Sequence, residues 1–163
     1  MIDLLSDYCK KIELDITDTQ LQQFDDYYRF LVEKNKVMNL TTIIEKEDVV
    51  LKHFIDSIYI MKYTDFDEKK VIDIGTGAGF PGIPLAIMNP QTSFVLLDSL
   101  NKRINFLNEV CNLCNLSNVI TIHGRAEEIS RKEEYREKLD FVVSRAVANM
   151  STLLEYCTPF LKV

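Results

Sequence analysis

Residues 71–87 read VIDIGTGAGFPGIPLAI, a hydrophobic run broken by Gly75, Gly77, Gly79 and Gly82, four of only five glycines in the 163-residue chain. A chain this sparing with glycine groups them where the backbone must turn sharply or admit another group to contact distance. The apolar run before them reads as a buried strand, and Pro81 and Pro84 suit the first turn of a helix. Strand, glycine turn and helix then set the rhythm of everything that follows. Strands are predicted at 71–75, 94–98, 118–123 and 139–146, with helices near 82–88, 100–115, 126–137 and 150–158. Such alternation builds βαβ units on a parallel sheet, and the unbroken VLL and FVV runs suit strands covered on both faces.

Residues 1–65 follow a different, helical pattern. Thr17-Asp-Thr-Gln20 has the form of a capping box, and Leu21, Phe24, Tyr28, Leu31 and Asn35 follow it at helical spacing. A second helix is expected from about Glu47, with Val50, Phe54, Ile58 and Met61 on one face; NKVMNLTTI (35–43) lies between them as a non-helical segment. Neither glycine nor proline precedes Gly75, so no flexible linker separates the two parts. The expected division is a helical extension, 1–65, packed on a partial Rossmann-like domain, 66–163.

Composition narrows the setting. No apolar run approaches the roughly 20 residues that span a bilayer. The N-terminal MIDLLSDYCKK carries acids where a signal peptide has a basic flank, so a cytoplasmic protein is expected. The four cysteines are then expected to be free thiols. Cys111 and Cys114 have metal-site spacing, but no second pair exists and only two histidines could complete a site. Together with Ile104 and Leu107 they fall on one helical stripe, so no metal is expected.

The glycine turn joins the first strand to its helix, which is where ligands meet the carboxyl ends of strands in doubly wound sheets. Free N–H groups at that helix start favour an anionic group. Two cofactors fit. GAGFPG (77–82) matches the dinucleotide pattern G-x-G-x-x-G, although offset from the strand by the preceding Gly75. S-adenosylmethionine suits the flanking acids better. Asp73 would favour a sulfonium, directly or through water, and Asp98 at the second strand's end could accept from both ribose hydroxyls. The alternative for either acid is a strand-end cap on the following helix.

GTGAGFPGIPLAI, LLDSLNKRINFL, HGRAEE and VVSRAVA occur in that order, preceded by MNLTTI and HFIDSI. This combination resembles the 16S ribosomal RNA guanine-N7 methyltransferase family, also called glucose-inhibited division protein B, from about residue 35 to residue 150. The resemblance implies an α/β fold: a class I S-adenosylmethionine-dependent methyltransferase, with a Rossmann-like parallel sheet lacking its last strands and an N-terminal helical extension. It implies methyl transfer to N7 of the guanine numbered 527 in the 530 loop. Gly75 and Phe80 would belong to the cofactor loop, beside Asp73, Gly77 and Gly79, which the reading of the turn already makes cofactor-binding candidates; Asp98 would hold the ribose, and Ala126 and Glu127 would read the adenine edge. Arg145 would border the methyl-transfer site. Glu127 as an acid at a helix start and Arg145 as a salt-bridged strand end are the alternatives.

Chemistry offers a separate check. Guanine N7 carries a free lone pair, so its methylation needs positioning and no general base. The Asn/Asp-Pro-Pro-aromatic segment used for exocyclic amines is replaced here by SRAV, and no cysteine near a strand end offers the nucleophile that pyrimidine carbons require. Arg145 is expected to orient and not to act as a base, because guanidinium keeps its proton. The 16S RNA or small subunit is implied as partner, with neither DNA nor membrane, although 25 acids outnumber 19 bases. Local basic groups exist, and Lys36, Asn39, His53 and Arg125 are candidate RNA contacts; the alternatives are surface charge for Arg125 and, for His53, three residues before Asp56 on one helix face, a structural hydrogen-bonder. The ending TPFLKV is expected to lead into a fifth strand, which reads as a truncated methyltransferase. An inactive cofactor-binding fragment, a methyltransferase with another acceptor and a nicotinamide-dependent oxidoreductase are the competing readings.

Overall fold

The computed structural model describes residues 1–145 and 147–163; Ala146, where the predicted fourth strand ends, lies outside the described residues. Four strands, β1 (Lys70–Ile74), β2 (Ser93–Asp98), β3 (Val119–His123) and β4 (Phe141–Val143), form one sheet in the order β3-β2-β1-β4, every neighbour parallel. Growth of the sheet reverses direction at β1, with β2 and β3 on one side and β4 on the other. The carboxyl end of β1 therefore lies at the switch point where such sheets receive ligands.

β1 and β2 are buried from their second residues onward, whereas β3 and β4 are half-exposed edges. The two-residue period of a strand sorts their side chains between faces. Ile72, Ile74, Val95 and Leu97 pack with Ala126, Ile129 and Phe160 on one side, and Val71 and Phe94 pack with Phe66, Leu85 and Ala86 on the other. Asp73 shares the face of Val71, and so points beneath the helix that follows the glycine turn.

α1 (Ile2–Lys11) and α2 (Asp18–Met38) lead into a helical stretch that changes pitch along its length. It runs from α3 (Lys46–Val49) through π-helical turns (Val50–Ile55) and α4 (Asp56–Ile58) to a 3₁₀ turn (Tyr59–Lys62). The predicted capping box is present: Thr17 Oγ1 accepts from Gln20 N at 3.2 Å and Gln20 Oε1 accepts from Thr17 N at 2.9 Å. The same Gln20 donates through Nε2 to Ile87 O (3.0 Å), tying α2 to α5 (Gly82–Met88). Leu5, Phe24, Tyr27, Leu31, Phe54 and Ile58 share one core with Phe80, Ile83 and Leu107, so the N-terminal helices pack directly on the glycine turn and on α6 (Asn101–Leu113).

Four expectations are corrected. The tyrosine of α2 that joins Phe24 in full burial is Tyr27, and Tyr28 is half-exposed, because the stripe turns one residue earlier in meeting the glycine turn. Residues 35–38 complete α2, which ends where Asn39 adopts a left-handed conformation at φ 51°. The helix predicted over 126–137 is α7 (Ala126–Ile129) alone. The charged stretch 131–137 that follows has little but Tyr135 to bury, so no apolar stripe sustains a helix. The fourth strand is three residues long, because Ser144 Oγ donates to Ile74 O (2.8 Å) where a ladder bond would continue. Beyond α8 (Met150–Cys157) the chain returns to the sheet, with a parallel bridge between Leu139 and Leu161.

Asp73 Oδ2 accepts the N–H of Gly82 at 2.8 Å, so the acid of β1 caps α5. The absence of a side chain at Gly82 is a matter of space: a Cβ there would meet Leu96 Cδ2 and stand 2.7 Å from Asp73 Oδ2. Gly82→Ala is expected to destabilise the fold by about 1–3 kcal/mol, as overpacking does. Urea denaturation followed by circular dichroism measures it, with a lower midpoint expected at unchanged slope.

Candidate cofactor and methyl-transfer site

The turn after β1 is built from residues that no ordinary side chain could replace. Gly75, Gly77 and Gly79 have φ of 66°, 63° and 101°, in the left-handed region that L side chains rarely adopt. Gly75 N and Thr76 N both donate to Leu97 O, at 2.8 and 3.2 Å, which folds the turn over the end of β2. Gly77 N then donates to Asp98 Oδ2 at 2.9 Å. Asp98, 2% exposed, also accepts from Leu100 N at Oδ1 (2.9 Å) and from Arg103 Nη1 at Oδ2 (3.3 Å). One lone pair of Oδ1 is left, and a carboxylate so placed can still accept a hydroxyl hydrogen.

A cavity of about 320 Å³ opens at these strand ends. Gly75 forms its β1 side, Leu97, Asp98 and Ser99 its β2 side, and Gly124, Arg125, Ala126 and Glu127 its β3 side. Val147 and Tyr156 close it from the α8 side; Val147 lies so near that a Cβ on Gly75 would stand 2.6 Å from its Cγ2. The donor set fits an adenosyl ligand: an acid at the ribose position, a flat apolar region at Leu97 and Ala126, and an exposed carboxylate at Glu127. Of the residues expected at the cofactor, Gly75, Asp98, Ala126 and Glu127 line this cavity and Gly77 does not; Arg125, expected as an RNA contact or surface charge, lines it as well. Sequence reasoning missed Val147 and Tyr156, which reach the site only because α8 folds back, and nothing local in the chain signals that return.

Other predicted site residues are placed differently. Asp73 is fully buried beneath the turn and does not line the cavity. Burial pushes its carboxyl up to about 7, against the pull of the Gly82 N–H in the other direction. The anion expected at the start of α5 is thus the protein's own Asp73. Gly79 also faces inward, where a Cβ would stand 2.9 Å from the Tyr27 hydroxyl. That hydroxyl donates to Ala78 O, so α2 holds the turn from behind.

Phe80 leaves the cofactor loop on the other side. Its ring packs against Tyr27 (5.5 Å between centroids) and stacks on His53 (4.3 Å, 14° between planes). The Arg145 guanidinium lies 5.1 Å from the centre of the same ring. Arg145 Nη1 donates to Lys52 O (3.2 Å) and to Asp56 Oδ2 (2.9 Å), and Nη2 donates to His53 Nδ1 (2.9 Å). The salt-bridged strand end foreseen for Arg145 is therefore present, and its side chain is still 29% exposed.

His53, expected among the RNA contacts, is buried at 7% exposure with both ring nitrogens engaged, Nε2 lying 3.0 Å from Thr41 Oγ1. Lys36, Asn39 and Arg125 are exposed. Of the other basic groups, Lys34 pairs with Glu109, Lys52 with Asp48 and Arg103 with Asp98. The thiols of Cys111 and Cys114 are pushed up by burial to about 11 and about 12, as inert packing groups, and no cluster of metal-ligating side chains occurs among the described residues.

Comparison with known proteins supplies a second line. The profile of the family described as rRNA small subunit methyltransferase G matches residues 20–163. The ribosomal RNA small subunit methyltransferase G of Desulforamulus reducens is 51% identical over 160 residues, covering 98% of this chain and 67% of that protein. The corresponding protein of Clostridium perfringens is 52% identical over 162 residues, covering 99% and 68%. The chain thus spans about two thirds of the length of these relatives. Among solved structures, M. jannaschii TYW2 in complex with AdoMet superimposes with a TM-score of 0.55 at 25% identity, covering 67% of this chain and 48% of that one. With a profile match over residues 20–163 and about half of its residues shared with these relatives, the chain belongs to the rRNA small subunit methyltransferase G family.

Proposed function

We propose that this chain binds S-adenosylmethionine at the ends of β1, β2 and β3 and transfers its methyl group to N7 of guanine 527 in the 530 loop of 16S ribosomal RNA, in the cytoplasm. The observation that carries the reading is the pairing of the glycine turn with Asp98. A buried acid at the end of β2 organises the turn through Gly77 and keeps a lone pair for a ribose hydroxyl. The family of the chain supports the reaction class.

The bound cofactor supplies the methyl group on a sulfonium. The residues of the chain position what surrounds it. Gly75 presents a backbone without a side chain, Asp98 accepts from the ribose, and Ala126 and Glu127 border the adenine. Asp73 acts from beneath the turn: its charged form, disfavoured by burial, is favoured by a cation above the loop. Arg145, across Phe80, orients the guanine. A guanidinium can donate to guanine O6 and leave the N7 lone pair to attack. Lys36, Asn39 and Arg125 are the exposed groups we assign to RNA contact.

Two measurements test this. In titration calorimetry, the chain is expected to bind S-adenosylmethionine and S-adenosylhomocysteine and not NAD. Asp98→Asn puts an amide against the Gly77 and Leu100 N–H groups and is expected to weaken both adenosyl ligands by about ten- to a hundredfold, as loss of hydrogen bonds to a charged group does. NAD binding would sink the assignment. In the second, small subunits lacking the modification are incubated with labelled S-adenosylmethionine, and the label is mapped on 16S RNA. Label at N7 of guanine 527, reduced at least tenfold by Arg145→Ala with cofactor binding unchanged, is the expected result. Label elsewhere overturns the acceptor, and cofactor binding without any turnover identifies a binding fragment.

A further inference from the structure

The three stretches MNLTTI, HFIDSI and VVSRAVA are far apart in the chain, yet one hydrogen-bonded series joins them. Asn35, in the last turns of α2, holds Thr41 by its backbone in both directions, Nδ2 donating to Thr41 O and Oδ1 accepting from Thr41 N, each at 2.9 Å. Thr41 Oγ1 meets His53 Nε2 at 3.0 Å and also accepts from Ile43 N at 3.1 Å. His53 Nδ1 in turn faces Arg145 Nη2 at 2.9 Å.

The proton positions follow from the donors. Guanidinium has only N–H groups and no acceptor. His53 Nδ1 must therefore present its lone pair, which leaves the imidazole proton on Nε2, donating to Thr41 Oγ1. A doubly protonated ring would set a donor against a donor at Arg145 and one positive charge against another. The stacking of His53 on Phe80 fixes the plane in which that lone pair points.

We propose that His53 is a positioning residue for methyl transfer: as the neutral Nε2–H tautomer, anchored through Thr41 and Asn35, it aims the Arg145 guanidinium across Phe80 at the acceptor guanine. This rests on the reading of Arg145 as the group that orients the guanine. Asp56 alone would leave the fork free to rotate about a single ion pair, because it takes only Nη1. Lys52 O and His53 Nδ1 supply the second and third points that set the plane. Arg145 is thereby kept beside the cofactor loop with or without RNA, which lowers the ordering cost of forming the reactive geometry.

The electrostatics agree with the geometry. Burial first, and the Arg145 charge second, push the His53 imidazole down to about 4 from an ordinary 6.5. The charged groups that face it are Arg145 from the end of β4 and Asp56 from the next turn of its own helical stretch. Thr41 on the connecting segment and Phe80 on the glycine loop are neutral. His53 has its folded value below the unfolded one, so its contribution to stability is present above about 6.5 and is lost as pH falls through about 4.

The test uses the two histidines of the chain, His53 and the exposed His123, as probe and internal control. Nitrogen-15 NMR of the imidazole side chains, recorded from about pH 8 to about pH 5, is expected to show His53 with an unprotonated Nδ1 and no titration. In Arg145→Ala its midpoint is expected to move upward. Methyl transfer to small subunits is measured in parallel. His53→Ala is expected to lower kcat about ten- to a hundredfold with KM for S-adenosylmethionine unchanged. His53→Asn, whose Oδ1 can replace Nδ1 as acceptor, is expected to recover most of it, and the His53→Ala/Arg145→Ala double variant is expected to fall no lower than Arg145→Ala. A protonated Nδ1, a His53 midpoint near 6.5, or losses that multiply in the double variant each overturn the proposal. Full transfer by Arg145→Ala with the NMR signature intact overturns instead the orienting role of Arg145, and the role of His53 in catalysis with it.

Discussion

Two buried carboxylates at the ends of neighbouring strands hold the turn on which both sides of the site depend. Asp73 takes the Gly82 N–H from beneath and Asp98 takes the Gly77 N–H from the side. A carboxylate removed from water is costly unless its lone pairs are used, and N–H groups at a tight turn are equally costly without acceptors. Asp98 meets both needs; Asp73 serves the turn through Oδ2 while its Oδ1 stays buried without a partner, in keeping with a carboxyl pushed up to about 7. The two acids divide the work: Asp98 opens onto the cavity, whereas Asp73 is sealed beneath it. Its raised carboxyl makes a contribution to stability that is present below the ordinary carboxylate range and is lost as pH rises through about 7.

The N-terminal helices are part of the same arrangement. Tyr27 and Phe54 sit against Phe80, with ring centroids 5.5 and 6.2 Å from it, and the Tyr27 hydroxyl reaches the backbone of the turn at Ala78. The π-helical turns over Val50–Ile55 contain His53 and Phe54, the two residues that this stretch packs against Phe80. Widened turns of this kind are often found where a helix brings side chains to a functional site.

Much of this was legible from local pattern. The first three strands, the capping box, the glycine turn and Asp98, Ala126 and Glu127 of the cavity were readable, because each depends on nearest neighbours or on a short spacing. What escaped depends on distant contact. Tyr27 and Tyr28 are adjacent and alike, and only the packing of α2 on the turn decides which is buried. Asp73 could be read as a cofactor acid or as a helix cap until the sheet face it shares with Val71 was known. His53 could be read as an RNA contact or as a structural hydrogen-bonder, and its partners Phe80 and Arg145 lie 27 and 92 residues later. Val147 and Tyr156 enter the cavity through the return of α8, which no spacing in the chain announces.

Phe80 is shared property. Gly75, at the head of the turn that precedes it, lines the cavity proposed for the adenosyl group, and the Phe80 ring is the floor on which His53 and Arg145 rest. On the proposed assignment, a shift of the turn on the cofactor side would be carried by Phe80 to the platform of His53 and Arg145, which would give the two ligands a coupling free energy. Thermodynamic linkage makes that coupling reciprocal: whatever factor the cofactor adds to the affinity for RNA, RNA adds to the affinity for the cofactor.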